Sequence, residues 1–167
     1  MIALEITNKK DFMNKLLRSE TFDNFLLQEA IITSGATYQI DGRINKGFYS
    51  EEEVEEMGIA GYRMLPFSFL RGNCFDLIKG KKTPAAFKFV FLLSPDNLEK
   101  TIAAAGSPFT RNDITGTFIN LTFQNQLLTL TTGISYSIFS LDKSLENYWD
   151  ESVEKFLNKN EIEYEKM

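Results

Sequence analysis

The stretch Gly116-Thr117-Phe118-Ile119-Asn120-Leu121-Thr122-Phe123-Gln124, the pair Asn125-Gln126, and then Leu127-Leu128-Thr129-Leu130-Thr131-Thr132-Gly133-Ile134 decide the fold class. Successive side chains of a strand point to opposite faces. Ile119, Leu121 and Phe123 therefore share one face, and Asn120 and Thr122 the other. The two runs flank a two-residue turn, which makes them a β-hairpin. Thr122, Thr129 and Thr131 give one face of it a threonine-rich surface, read as an exposed sheet face.

Working outward, Phe87 to Leu93 is apolar on both faces and reads as a central strand. Ser94 then caps a helix with Pro95 at its first position; Leu98, Ile102 and Ala105 face inward and Gly106 ends it. After the hairpin, Tyr136 to Leu141 reads as a further strand. Asp142 or Ser144 caps a last helix whose stripe is Leu145, Tyr148, Trp149, Ser152, Val153, Phe156 and Leu157. The acidic tail from Asn158 is expected to fray.

The first half opens with a short strand, Ile2 to Ile6. Asn8 and Asp11 start a helix with Phe12, Met13, Leu16 and Leu17 on one stripe. Phe25 to Thr33 and Thr37 to Arg43 read as two strands around Ser34-Gly35. Residues 45–62 hold Glu51, Glu52, Glu53, Glu55 and Glu56 and read as a mobile acidic loop or a short exposed helix. Phe67, Leu70, Cys74, Leu77 and Ile78 recur at helical spacing, with Gly80 as a stop.

These elements make an α+β chain, a mostly antiparallel sheet with helices on one face and a C-terminal amphipathic helix. Its 167 residues fit a single domain, residues 1–167. Fifteen phenylalanines favour a core of large rings. With no histidine, Ser-His-Asp and Cys-His catalysis and imidazole metal sites are excluded. The single cysteine, Cys74, lies on an apolar helical stripe and reads as a buried, inert thiol. No cofactor or metal is expected. The N-terminus has no signal-peptide pattern and no apolar run reaches about 20 residues, so the chain reads as cytoplasmic, without a membrane partner. A formal net charge of −5 argues against indiscriminate nucleic-acid binding.

Residues 1–44 and 87–141 repeat the order strand, helix, strand, strand. Two such β-α-β-β units side by side are similar to one domain of the sliding DNA clamps. The first helix carries Lys9, Lys10, Lys15 and Arg18, as a duplex-facing clamp helix would. The second departs from that pattern, with Lys100 against Asp96 and Glu99.

Four segments carry a wider resemblance: Phe22-Asp23-Asn24-Phe25-Leu26-Leu27, Ile40-Asp41-Gly42-Arg43, Phe75-Asp76-Leu77-Ile78-Lys79-Gly80-Lys81 and Leu141-Asp142-Lys143-Ser144-Leu145. In this order they resemble a family of uncharacterised proteins from anaerobic Gram-positive bacteria. The resemblance spans nearly the whole chain. It implies a domain of unknown function and carries over no catalytic residue and no ligand.

Two sets of residues are candidate sites. Lys79, Lys81 and Lys82 beside Gly80, with Arg71 and Lys88 as neighbours, suit an anion or a nucleic-acid backbone, as do Lys9, Lys10, Lys15 and Arg18. Glu29, mid-strand, with Asp41 and Arg43, suits a ligand contact or carboxylate chemistry. The alternative for the lysine turn is a solvated surface, and for Asp41-Gly42-Arg43 a turn-edge ion pair. Three functions follow as expectations: a non-enzymatic binding or scaffold protein, a clamp-like nucleic-acid accessory protein, or a histidine-free enzyme using carboxylates and lysines. A protein partner or nucleic acid fits these readings, and so does an oligomer.

Overall fold

A computed structural model describes residues 1–167, and the hairpin read above lies inside its sheet. In chain order the elements are β1 (Ala3–Ile6), α1 (Lys9–Arg18), β2 (Leu26–Thr33), β3 (Thr37–Asp41), α2 (Glu51–Met57), α3 (Arg71–Ile78), β4 (Ala86–Leu92), α4 (Pro95–Ala104), β5 (Ile114–Gln124), β6 (Leu127–Tyr136), α5 (Ser144–Lys159) and β7 (Tyr164–Lys166). The seven strands form one antiparallel sheet in the order β3-β2-β4-β5-β6-β1-β7. No helix is long and apolar enough to cross a membrane.

Asn125 and Gln126 turn the hairpin with φ of 52° and 65°. Positive φ at both turn positions matches the right-handed twist of the strands they join. From there β5 and β6 stay paired as far as Ile114 and Tyr136. Ile119, Leu121, Phe123, Leu128 and Leu130 are buried beneath the helices. Asn120, Thr122, Thr129 and Thr131 stand half-exposed on the other face. β4 lies between β2 and β5, as its apolar run predicts.

The phenylalanines form a continuous path through this core. Phe123 stacks on Phe87 (5.2 Å), Phe87 meets Phe89 (5.7 Å), and Phe67 bridges Phe89 and Phe91 (6.1 and 5.0 Å). Phe91 stacks on Phe22 (5.4 Å), which meets Phe12 edge-on (5.6 Å). Offset and edge-to-face rings at these spacings add to their burial energy.

The order β-α-β-β occurs twice, but the two units are placed differently. β4 pairs with its own β5, whereas β1 pairs with β6 and is separated from β2 by β4, β5 and β6. Consequently α1 crosses the helix face and buries Phe12, Leu16 and Leu17 there. α4 joins neighbouring strands and packs Leu98 and Ile102 in a separate cluster with Phe109, Ile114 and Leu145.

Three local expectations need correction. The strand expected over Tyr136–Leu141 stops at Tyr136, because the residues ahead of β5, Arg111–Asp113, form a 3-10 turn and give only one more backbone bond, from the Ser137 N–H to the Asp113 carbonyl at 2.8 Å. Ile138, Phe139 and Leu141 are left exposed. The tail does not simply fray: Glu161 turns the chain at φ 56°, Ile162 is buried, and β7 covers the free edge of β1. The helix expected from Phe67 to Lys79 breaks at Leu70 into a 3-10 turn and α3. Of the two readings of residues 45–62, the short exposed helix is the one that forms: Ser50 and Glu53 make a reciprocal capping box at the start of α2, and Gly58 ends it in the left-handed region.

Candidate functional site

Helical geometry sorts the basic residues of α1. At about 100° per residue, Lys9, Lys10, Met13, Asn14, Leu17 and Arg18 fall within half a turn of one another, and Lys15 falls outside that arc. The fold uses the same division. Lys9, Lys10 and Arg18 line a groove of about 510 Å³ between α1 and the turn that leaves α3. Lys79 and Lys82 supply the opposite wall. The two basic sets, about seventy positions apart in sequence, thus converge on one surface.

The floor of this groove is apolar. Met13 and Leu17 come from α1, Phe75 and Ile78 from α3, and Phe87, Phe123 and Leu128 from the sheet. Phe75 lies between two cations. The Arg18 guanidinium carbon is 5.3 Å from its ring centroid, and the Lys79 Nζ is 5.6 Å from it. Such contacts hold the cations at the groove mouth while leaving their N–H groups to water or a ligand.

No carboxylate lines the groove. Lys79 reaches outside it to Asp76, at 3.0 Å. Lys9, Lys10, Arg18 and Lys82 make no ion pair. In a chain of net charge −5 this is a local inversion of sign, and a cleft lined by one sign of charge concentrates its counter-ion.

The remaining basic candidates have other partners. Lys15 donates to Asp11 Oδ2 and to the Glu161 carbonyl, each at 2.8 Å, beside a broad depression of about 860 Å³ lined also by Glu161 and Glu163. Lys81 is exposed on the turn but does not line the groove. Arg71 is held by Asp23 at 2.8 Å. Lys88 faces Glu29 at 3.5 Å on the uncovered side of the sheet.

Glu29 and Asp41 are direct cross-strand neighbours on β2 and β3. Arg43 engages Asp41 through Nε (3.2 Å) and Nη2 (3.0 Å), and its backbone N–H donates to the same carboxylate at 3.0 Å. These bonds hold the Asp41 carboxyl below its usual range. The group is therefore an ion cluster on an exposed sheet edge, and it lines neither cleft. Gly42 belongs to its backbone: a Cβ there would meet the Leu27 carbonyl oxygen at 1.7 Å.

Cys74 is fully buried, and burial pushes its thiol up to about 12. No three of the Asp, Glu and Cys side chains gather closely enough to hold a metal ion. The sequence reading missed Phe75, Met13 and Leu17 as groove residues. Their signal was the helical arc they share with the basic residues, which is visible once α1 and α3 are set side by side.

No curated protein and no solved structure matches this chain. The model of the family of unknown function DUF5721 matches residues 15–165, which include α3, its basic turn and only the last four residues of α1, and the chain belongs to that family.

Proposed function

We propose that this protein is a non-enzymatic binding protein whose basic groove takes an acidic, aromatic-bearing segment of a protein partner. The observation that carries this reading is the convergence of Lys9, Lys10, Arg18, Lys79 and Lys82 around an apolar floor with no lining carboxylate. Cations at a rim attract acidic side chains and steer association. An apolar floor favours burial of an aromatic or aliphatic anchor at the centre.

The mixed lining favours protein over nucleic acid. Single strands are usually bound on open aromatic platforms, one ring per base. Here Phe75 is half-buried and flanked by Arg18 and Lys79. The rest of the chain is acidic and repels a long phosphate backbone.

The test is fluorescence anisotropy with two labelled probes of equal charge, a peptide of Glu-Glu-Phe repeats and a single-stranded oligonucleotide. The peptide is expected to bind more tightly and to weaken with salt. Lys10→Gln combined with Lys82→Gln should weaken it about tenfold. Preference for the oligonucleotide, or peptide binding indifferent to the double substitution, overturns the reading.

A further inference from the structure

The counterpart of this groove is on the same chain. α2 carries Glu51, Glu52, Glu53, Glu55 and Glu56 and buries none of its residues. Glu53 closes the capping box, and the other four make no ion pair. Glu51 with Glu55, and Glu52 with Glu56, stand four residues apart, a spacing at which like charges repel along a helix. Just before them Phe48 is 75% exposed, its ring held edge-on to Tyr49 at 5.0 Å. The segment thus offers an aromatic anchor followed by uncompensated carboxylates, and the groove offers an apolar floor among cations of which Lys9, Lys10, Arg18 and Lys82 are unpaired.

The two surfaces belong to opposite ends of the sheet. The chain around α2 is tied to the start of β2: the Leu27 N–H donates to the Leu65 carbonyl at 2.9 Å, and the Phe67 N–H to the Phe25 carbonyl at 2.8 Å. The groove lies at the other end of β2, where the Ala85 N–H donates to the Thr33 carbonyl at 2.8 Å and Phe87 pairs with Phe123. Eight strand residues separate those ends, roughly 25 Å. A copy therefore keeps its own α2 away from its own groove.

From this we infer that residues 48–57 of one copy dock in the basic groove of a second copy, with Phe48 over Met13 and Phe75 and the glutamates against Lys9, Lys10 and Lys82. The inference rests on the reading of the groove given above. Each copy uses one surface to give and another to receive, so the contact is head-to-tail. Such contacts build a ring if the rotation closes and an open filament if it does not.

Sedimentation velocity on the full chain tests it. The wild type is expected to associate with rising concentration and to dissociate as salt is raised. A groove variant, Lys10→Gln with Lys82→Gln, and a helix variant, Glu52→Gln with Glu56→Gln, should each lose self-association by about tenfold or more. Mixed in equal amounts, they should form one-to-one pairs and nothing larger, because only one groove and one acidic helix remain. Phe48→Ala should weaken the wild-type assembly without altering its salt dependence. Unchanged circular dichroism verifies that the variants are folded. A wild type that stays monomeric at every concentration and salt overturns the inference, as does a mixture that forms no pairs. If the monomeric wild type still binds the Glu-Glu-Phe peptide, the groove reading stands and only the self-docking falls; if it binds neither, both fall.

Discussion

Arg71 grips Asp23 with two parallel hydrogen bonds, Nε to Oδ1 at 2.8 Å and Nη2 to Oδ2 at 3.1 Å. Asp23 lies in the loop that leaves α1, and Arg71 opens α3, so this pair ties together the two helices that wall the groove. The Asp23 side chain is only 12% exposed. Removing its partner leaves a largely desolvated carboxylate without its two donors. Arg71→Ala should lower stability by about 1.5–3 kcal/mol, and Arg71→Lys should recover only part, because an ammonium cannot repeat the fork. Urea denaturation measures both; a loss below about 0.5 kcal/mol would show the pair to be ornamental.

Two glycines should respond to alanine in opposite directions. At Gly42 a Cβ would sit 1.7 Å from the Leu27 carbonyl oxygen, inside a backbone approach that no rotamer change relieves. Gly42→Ala should destabilise by about 3 kcal/mol or more. At Gly72, in the first turn of α3, a Cβ meets nothing within 4 Å. Gly72→Ala should stabilise by about 0.4–1 kcal/mol by restricting the unfolded chain. Thermal melts of the two variants decide the matter, and equal shifts would contradict it.

Burial of Cys74 predicts an alkaline weakness. Its thiol rises from an ordinary 9.0 to about 12 in the fold because the thiolate would be desolvated. Between those values the unfolded chain loses the proton and the folded chain keeps it. Stability should therefore be unaffected below about pH 9 and fall as pH rises toward 12, by about 1.4 kcal/mol per unit. Cys74→Ala should remove this group's part of the slope while leaving a cavity penalty that is independent of pH. Denaturant titrations across that window supply the comparison. At pH 8 the native thiol should also resist a thiol reagent that modifies the unfolded chain at once.

The Trp149 indole donates to the Phe118 carbonyl at 3.0 Å from a side chain that is 4% exposed. Trp149→Phe should cost about 1–3 kcal/mol, since the Phe118 carbonyl loses its side-chain donor and the smaller ring leaves a gap in the core. As the only tryptophan, Trp149 also reports directly on unfolding. Its emission should shift to the red in the same transition that circular dichroism detects.

Local sequence held a good part of this. Alternation along Ile119, Leu121 and Phe123 selected the buried face of the hairpin, and the stripe from Leu145 to Leu157 selected the inward face of α5. Those choices depend on neighbours a few residues away, which is why periodicity reads them.

Strand partners were another matter. Which apolar edge remains to be covered depends on the whole sheet, so nothing near Ala3–Ile6 announced that β1 would lie beside β6 and receive β7. That placement sends α1 across the helix face and sets Lys9, Lys10 and Arg18 opposite Lys79 and Lys82. The amino-acid sequence alone determined that two basic clusters, an acidic stretch and an antiparallel α+β core exist. Only the tertiary structure decided that the bases share one groove and the acids lie at the far end of β2, because long-range packing, not local propensity, chooses which distant segments meet.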